Sequence, residues 1–488
     1  MSLVVVSNRV AKARADEPIA GGLASALLPA VQSCGAIWVG SSGRLREASH
    51  KDSFAEIEAL GAGAIATVDL PAAYYRGYYE GFANSVLWPA LHSRADLIRA
   101  SLDDYRCYRE VNALMARGLM RFGRADATYW IHDYHFLTLG AELRRLGVTR
   151  PLGFFLHTPW PSRCVMQGVP HHRELVEAML AYDLIGFQTE DDRRNFADYL
   201  RDELGLDMLD DVVASPRGVA HVGVFPIGID ADLFASRAAK AATRRELTRL
   251  HASLHGRKLA IGVDRVDYSK GLDNRIRAFD RMLAAQPSLR GEVSMLQIAV
   301  PSRNQIPAYR QLNYDLASIV GEVNGRHGEV DWTPVRYVNK GYAQATLAGF
   351  YREAQVGLVT PLHDGMNLVA KEYVAAQNPA DPGVLVLSEF AGAARELDAA
   401  VLVNPHDIDG MAQAIGRAFF MPAEERRARW SAMMAKLKAN SVHKWFADFV
   451  AALAVTQGAT ELSAIAAPPA AAAVALEYVP ERPAVGAF

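Results

Sequence analysis

His363-Asp364-Gly365-Met366-Asn367-Leu368-Val369-Ala370-Lys371-Glu372 follows the apolar run Val356-Gly357-Leu358-Val359 and precedes Tyr373-Val374-Ala375-Ala376-Gln377. The run has the length and unbroken apolarity of a strand buried on both faces of a parallel sheet. A polar turn with Gly365 is expected next, and a helix opening near Asn367. The first amides of such a helix have no intrahelical partners and carry the positive end of its dipole, so they suit an anion. Asp364 in the turn and Glu372, one to two turns into the helix, add acceptors for hydroxyls. Diphosphate donors beside carboxylates for sugar and ribose hydroxyls are what a nucleotide-sugar needs. Most strand–glycine–helix junctions bind nothing, so the reading depends on the rest of the chain.

Outward from this stretch, short apolar runs alternate with amphipathic segments. Strands are expected at 3–6, 36–39, 64–68, 128–131, 152–156, 184–187 and 222–225, and then at 259–263, 295–300, 335–338, 356–359, 384–387 and 401–403. Helical periodicity marks 191–204, 246–254, 275–283 and 411–420. Alternating strands and helices imply parallel sheets with right-handed crossovers. Pro226-Ile227-Gly228-Ile229-Asp230 precedes a fresh strand-first series. The expectation is an α/β protein of two doubly wound domains, 1–230 and 231–440, with ligands at the carboxyl ends of the strands in the cleft between them. Segment 441–456 carries Val442, Trp445, Phe446, Phe449, Val450 and Leu453 on one face and is expected to pack back on the first domain. The Ala- and Pro-rich residues 457–488 predict a disordered tail.

A chain of 488 residues is too long for one ordinary core. Lys+Arg 52 against Asp+Glu 54 leaves a net charge of -2, which creates no global field for nucleic acid or an acidic membrane. Cys34, Cys107 and Cys164 are odd in number and widely spaced, which fits a reducing cytoplasm better than a disulfide framework. No apolar run reaches the length of a membrane span, and the N-terminus lacks the pattern of a secretory signal.

Further polar clusters fall where strands end. Arg9 follows the first strand, and Gly21-Gly22 open the first helix, where paired glycines allow close backbone approach to a ligand. His132-Asp133-Tyr134-His135 and His157-Thr158-Pro159-Trp160 end the fourth and fifth strands. Arg265 and Lys270 share the loop after the first strand of the second domain, and Arg303 follows the next strand. Arg265 and Lys270 on one loop can neutralise a leaving diphosphate, and Arg303 adds a third cation placed just after a strand. A Walker loop, a full Gly-x-Gly-x-x-Gly fingerprint and a Gly-x-Ser-x-Gly elbow are missing. Asp230-Ala231-Asp232, an Asp-x-Asp pair, sits in the linker and reads as structural. The expected site therefore uses no metal and no other cofactor.

The chain resembles the α,α-trehalose-phosphate synthases, retaining glycosyltransferases of the GT-B fold. The resemblance runs from Leu3 to about Ala454. It is carried by Ser7-Asn8-Arg9, Ala20-Gly21-Gly22-Leu23, Asn84-Ser85-Val86-Leu87-Trp88-Pro89, Trp130 through His135, Gly186-Phe187-Gln188-Thr189, Arg265 through Gly271 and Asp364 through Glu372. It implies transfer of glucose from UDP-glucose to glucose 6-phosphate, with UDP as the second product. On this resemblance Arg9, Tyr79, Trp88, Asp133 and Arg303 hold the acceptor, with Arg9 and Arg303 on its phosphate. Gly21, Gly22, Arg265, Lys270, Tyr342, Asp364, Gly365, Met366, Asn367, Leu368, Val369 and Glu372 surround the donor. Arg265 and Lys270 would face the diphosphate, Glu372 the ribose, Asp364 the transferred glucose, and His157 the reacting sugar. Association into a dimer or tetramer is also expected from the family.

The chain departs from the family pattern at Thr158 and Trp160, at Tyr342 and at His363, positions near acceptor and donor respectively. A sister glycosyltransferase with another phosphorylated acceptor or nucleotide-sugar is therefore one alternative. A catalytically silent sugar-phosphate sensor is another, although it would be expected to have lost some of Arg265, Lys270 and Glu372. No aspartate-nucleophile phosphatase domain follows residue 456.

Overall fold

The computed structural model describes all residues except 1, 11–21, 48–53, 124–126, 304 and 467–488. Gly21 of the expected donor set lies outside the described residues, as does most of the expected tail. Ten strands form one sheet: β1 (Ser2–Arg9), β2 (Ile37–Arg46), β3 (Phe54–Leu60), β4 (Gly63–Pro71), β5 (Ala127–His132), β6 (Leu152–Phe155), β7 (Leu184–Phe187), β8 (Met208–Leu209), β9 (Val212–Ser215) and β10 (Gly218–Val224). Six form a second: β11 (Lys258–Arg265), β12 (Val293–Val300), β13 (Val335–Val338), β14 (Val356–Val359), β15 (Val384–Ser388) and β16 (Val401–Val403). The orders are β3-β4-β2-β1-β5-β6-β7-β10-β9-β8 and β13-β12-β11-β14-β15-β16.

All strands expected from the sequence are present. The three it does not announce, β3, β8 and β9, are antiparallel additions at the edges of the first sheet. Ile57, Glu58 and Ala59 of β3 are exposed. A stretch exposed on both faces leaves little apolar pattern to detect.

Each sheet reverses its winding beside its first strand, between β1 and β5 and again between β11 and β14. Crossovers leave such a point toward opposite faces, which opens a crevice at the carboxyl ends of the strands. Arg9 ends β1, Asp133 follows β5, Arg265 ends β11, and residues 360–367 follow β14. This is the GT-B arrangement of two facing doubly wound units.

The helix Val442–Ala466 returns to the first sheet. Trp445 lies 4.9 Å from the Trp130 ring, and Phe449 stacks on the same indole at 4.5 Å. Gly153 and Gly186 make the floor on which Phe449 and Leu453 rest, since a Cβ at either would meet an aromatic or leucine side chain at 2.8 Å. Trp445, Phe449 and Leu453 are fully or almost fully buried, each favouring docking by about 2 kcal/mol or more.

The chain passes between the sheets at 226–230 and again near 440–442. The crossings touch so closely that a Cβ on Gly228 would overlap the Asn440 carbonyl oxygen. Lys371, fully buried, donates to the Ile227 carbonyl at 2.8 Å and pairs with Glu396. Glu396 also accepts from Asn440 Nδ2 at 3.0 Å. One buried ion pair thereby fastens both crossings to the helix Leu368–Ala376. Asp230 caps the helix Ala231–Lys240 through the Leu233 amide at 2.9 Å, and Asp232 pairs with Lys438 at 3.1 Å. This Asp-x-Asp pair is structural, as read from the sequence. Among the described residues no helix is long and apolar enough to cross a membrane.

Candidate active site

A cleft of about 470 Å³ separates the carboxyl ends of the two sheets. Its first wall is carried by β5, β6 and the segment 76–91. Residues Arg76–Leu87 wind as a π-helix, with the Asn84 side chain donating to the Tyr79 carbonyl at 2.7 Å and Ser85 to the Glu80 carbonyl at 2.6 Å. Such widened turns concentrate at functional sites. Here the π-helix carries Tyr79, which stacks on His135 at 5.9 Å, and leads into Trp88. The Trp88 indole N–H donates across the cleft to Asp267 Oδ1 at 3.3 Å.

Asp133 follows β5 with φ 76°, a left-handed conformation that a non-glycine residue holds only when its surroundings enforce it. Asn367 (φ 74°) and Arg303 (φ 49°) share this property, and all three line the cleft. Asp133 is half-buried, and the loss of water around it pushes its carboxyl up to about 6, against the pull of the Tyr134 and His157 amides and of Arg303 and Arg265. The His157 amide lies 3.3 Å from Asp133 Oδ1, and its ring Nε2 lies 3.1 Å from His132 Nδ1. Burial lowers His157 to about 3, so it faces the cleft as a neutral imidazole.

The second wall begins where β11 ends. The Arg265 guanidinium stands 5.6 Å from the Trp88 ring. Lys270 pairs with Asp364, and Asn367 Nδ2 donates to the same carboxylate at 3.0 Å. Burial alone would raise Asp364, but the Lys270 charge and hydrogen bond outweigh it and hold the carboxyl below its usual range. Arg303 is buried over Trp88 at 4.0 Å, bonded to Asp267 at 3.0 Å and Tyr309 at 2.6 Å, with Tyr134 of the facing wall at 3.2 Å. Burial works against the Asp267 carboxylate, yet Arg303, Arg265 and nearby cations keep it lowered.

The helix Leu368–Ala376 opens with Asn367 as its N-cap, where the sequence places its start, and Leu368 and Val369 of its first turn line the cleft. Glu372 is half-buried at the back. Burial raises its carboxyl to about 7, relieved by Gln344, whose Nε2 lies at 3.4 Å, and by Arg237. Tyr342 makes an edge contact with Phe350 at 5.1 Å and lines the same end.

The cleft brings together Tyr79, Trp88, Asp133, His157, Arg265, Lys270, Arg303, Tyr342, Asp364, Met366, Asn367, Leu368, Val369 and Glu372. Arg9 is not on its lining. It is exposed at the end of β1, against Gly43 and close enough to Tyr75 for its charge to oppose the burial that raises that phenol, and Tyr75 stacks on Tyr79 at 5.3 Å. Gly22 starts the helix Gly22–Cys34, whose Leu23 reaches the lining.

Gly365 lies in the expected bend between β14 and the helix. Its φ is not left-handed, and it has a second role the sequence does not show: a Cβ there would overlap the His157 carbonyl oxygen of the opposite wall. Trp160 also corrects an expectation. It does not approach the acceptor side but is buried in the first core, edge-on to Phe196 at 5.0 Å, with its amide held by Asp192 at 2.8 Å. Thr158 does line the cleft. His363 meets Ser93 Oγ across the cleft at 3.3 Å.

Sequence reasoning assigned no role to His92, Gln188, Asp264, Gln344 or Asp267, although Gln188 and Asp267 lie in motifs that carry the resemblance. Asp264 and Asp267 flank Arg265 and follow a strand, a signal that was available. Gln344 and His92 lie in helical segments where nothing local marks them.

Among the described residues no group of three His, Cys, Asp or Glu side chains is arranged to hold a metal. The family model for glycosyltransferase family 20 matches residues 4–455. Trehalose-6-phosphate synthase of Sinorhizobium fredii is 47% identical over 453 residues, covering 92% of this chain and 97% of that protein. The crystal structure of an α,α-trehalose-phosphate synthase (UDP-forming) from Burkholderia vietnamiensis superimposes with a TM-score of 0.91 at 45% identity, covering 94% of this chain and 97% of the other. A synthase of the same description from Burkholderia xenovorans, in complex with glucose-6-phosphate, gives a TM-score of 0.90 at 44% identity, covering 93% and 100%. With the family match spanning both sheets and the cleft between them, the chain belongs to glycosyltransferase family 20.

Proposed function

We propose that this protein is an α,α-trehalose-phosphate synthase: it transfers glucose from UDP-glucose to C1 of glucose 6-phosphate with retention, giving α,α-trehalose 6-phosphate and UDP. The observation that carries the reading is the placement of Arg265 and Lys270 at the second sheet's switch point, facing Asp133 and Trp88 across one cleft. Residues 1–230 supply the acceptor wall and 231–440 the donor wall, with 441–456 tying the second unit back to the first.

Arg265 and Lys270 bind the diphosphate together with the Leu368 and Val369 amides at the helix N-terminus. Glu372 accepts from the ribose, Tyr342 borders the base, and Asp364 holds the transferred glucose. Asp133, Tyr79 and Trp88 orient the acceptor, with Arg303 and Arg9 on its phosphate. Arg9 joins from the rim, beside the Tyr75–Tyr79 stack.

The acceptor C1 hydroxyl attacks the donor C1 on the face that UDP is leaving. The C1–O bond to the β-phosphate breaks with its electron pair going to UDP, and the hydroxyl proton passes to the departing phosphate oxygen. Two features support this front-face course. The Asp364 carboxylate is tied to Lys270 and Asn367, which makes it a poor nucleophile. His157, lowered to about 3, offers a neutral hydrogen bond rather than an acid. Charge developing on UDP is met by fixed cations already in place, the arrangement that contributes most to transition-state stabilisation.

The test is UDP release from UDP-glucose with and without glucose 6-phosphate, in EDTA, with the product identified by NMR. Acceptor-dependent release with an α,α-1,1 product is expected. Turnover only with another phosphorylated acceptor, or only with added metal, would overturn the respective part of the reading.

A further inference from the structure

Glu372 is the one carboxylate proposed to touch the donor's ribose, yet among the described residues no cation contacts it directly. Its hydrogen-bond partner is Gln344 Nε2, at 3.4 Å, on the first residue of the helix Gln344–Glu353. The other end of the same amide, Gln344 Oε1, accepts from Arg237 Nη1. Arg237 lies on the helix Ala231–Lys240, which starts where the chain crosses between the domains. Gln344 and Glu372 line both the main cleft and a smaller cavity of about 140 Å³ behind it, whose walls include Arg237 and the crossing segment Gly228–Asp230.

We propose that Gln344, oriented by Arg237, is a positioning residue for the donor: the two form a relay that aims the Glu372 carboxylate at the ribose hydroxyls. The inference rests on the assignment of Glu372 to the ribose made above. An amide has one donor end and one acceptor end. Arg237 can only donate, so it claims the oxygen of Gln344 and leaves the NH2 group for Glu372. This fixes the amide's orientation and with it one carboxylate oxygen, leaving the other for the ligand. The carboxylate is also held away from direct ion pairing, so its lone pairs stay available to a neutral hydroxyl. Lys371, its neighbour in sequence, is spent on Glu396 and Ile227 and does not compete.

The readout is discrimination between UDP-glucose and its analogues lacking the ribose 2′- or 3′-hydroxyl, measured as the ratio of kcat/KM. Wild type is expected to prefer the full ribose by about tenfold or more, the usual worth of a hydrogen bond to a charged group. In Gln344→Met that preference should collapse toward unity. KM for UDP-glucose should rise by about tenfold while kcat falls less and KM for glucose 6-phosphate holds. Arg237→Gln, which leaves the Gln344 amide without its orienting partner, should move the preference the same way by a smaller factor, and serves if Gln344→Met folds poorly. Undiminished ribose discrimination in both variants overturns the relay. If wild type shows no discrimination, or Glu372→Gln retains all of it, the ribose assignment itself falls and the relay with it.

Discussion

Asp133 combines two costs in one residue: a positive-φ backbone, and partial desolvation that pushes its carboxyl up to about 6. A carboxyl whose pKa is higher folded than unfolded binds protons preferentially in the folded state. Its contribution to stability is therefore complete below 3.8 and is lost as pH rises to about 6. Asp133→Asn keeps a residue type that tolerates left-handed φ and an oxygen for the His157 amide. Urea denaturation at pH 7 should show it more stable than wild type by on the order of 1–3 kcal/mol, while kcat/KM for glucose 6-phosphate drops by about 100-fold. The same reasoning gives a pH profile for the donor. Glu372, raised to about 7, accepts from hydroxyls when ionised, so kcat/KM for UDP-glucose should fall below about pH 7. A profile flat down to pH 5.5 would contradict this. Arg265→Ala removes the cation proposed to face the leaving diphosphate. It is expected to lose about 3 kcal/mol of transition-state stabilisation, on the order of 100-fold in turnover, with unchanged circular dichroism.

At the scale of elements, the helix Leu368–Ala376 does two jobs from opposite faces. Its N-terminus and Glu372 face the cleft, while Lys371 turns inward to Glu396 and the Ile227 carbonyl. Breaking a buried pair leaves an uncompensated charge, which is why removal of one partner costs more than the pair contributes. Lys371→Met should lower unfolding free energy by about 3 kcal/mol. Because both chain crossings are tied to this pair, KM for UDP-glucose should also rise, which steady-state kinetics below the melting transition would measure. Of these contacts, the sequence makes legible the strand, the turn and the helix start. Which face of the helix Lys371 occupies, and that its partner is Glu396, depends on a strand and a turn that intervene.

At the scale of the whole molecule, the cleft exists because the two units approach backbone to backbone. Gly365 abuts the His157 carbonyl, and Gly392 in turn leaves no room for a Cβ beside the Gly365 carbonyl. Direct bonds cross the same gap from Trp88 to Asp267, from Arg303 to Tyr134 and from Arg395 to Asp191. A methyl group at Gly365 must push the walls apart by a distance comparable to its own size. Misplacement of this size costs about 100-fold in rate when two substrates must meet in a fixed geometry. Gly365→Ala is expected to show that loss with a melting temperature close to wild type, and an increased radius of gyration by X-ray scattering. Equal activity would mean that the walls part during turnover.

The sequence by itself determined the order of strands and helices, the two doubly wound units, and the loops that bear chemistry. Apolar runs and strand-end polar clusters are local patterns, and a doubly wound sheet delivers its strand ends to one edge by topology alone. The tertiary structure decided what distance in the chain conceals. It placed Trp160 in a core rather than at the acceptor, left Arg9 on the rim, paired Lys270 with Asp364, gave Glu372 an amide for a partner, and made Gly365 a contact point as well as part of a turn. Each of these is set by a neighbour from a different strand or the opposite domain, and side-chain burial and pairing follow from that neighbour, which no local window contains.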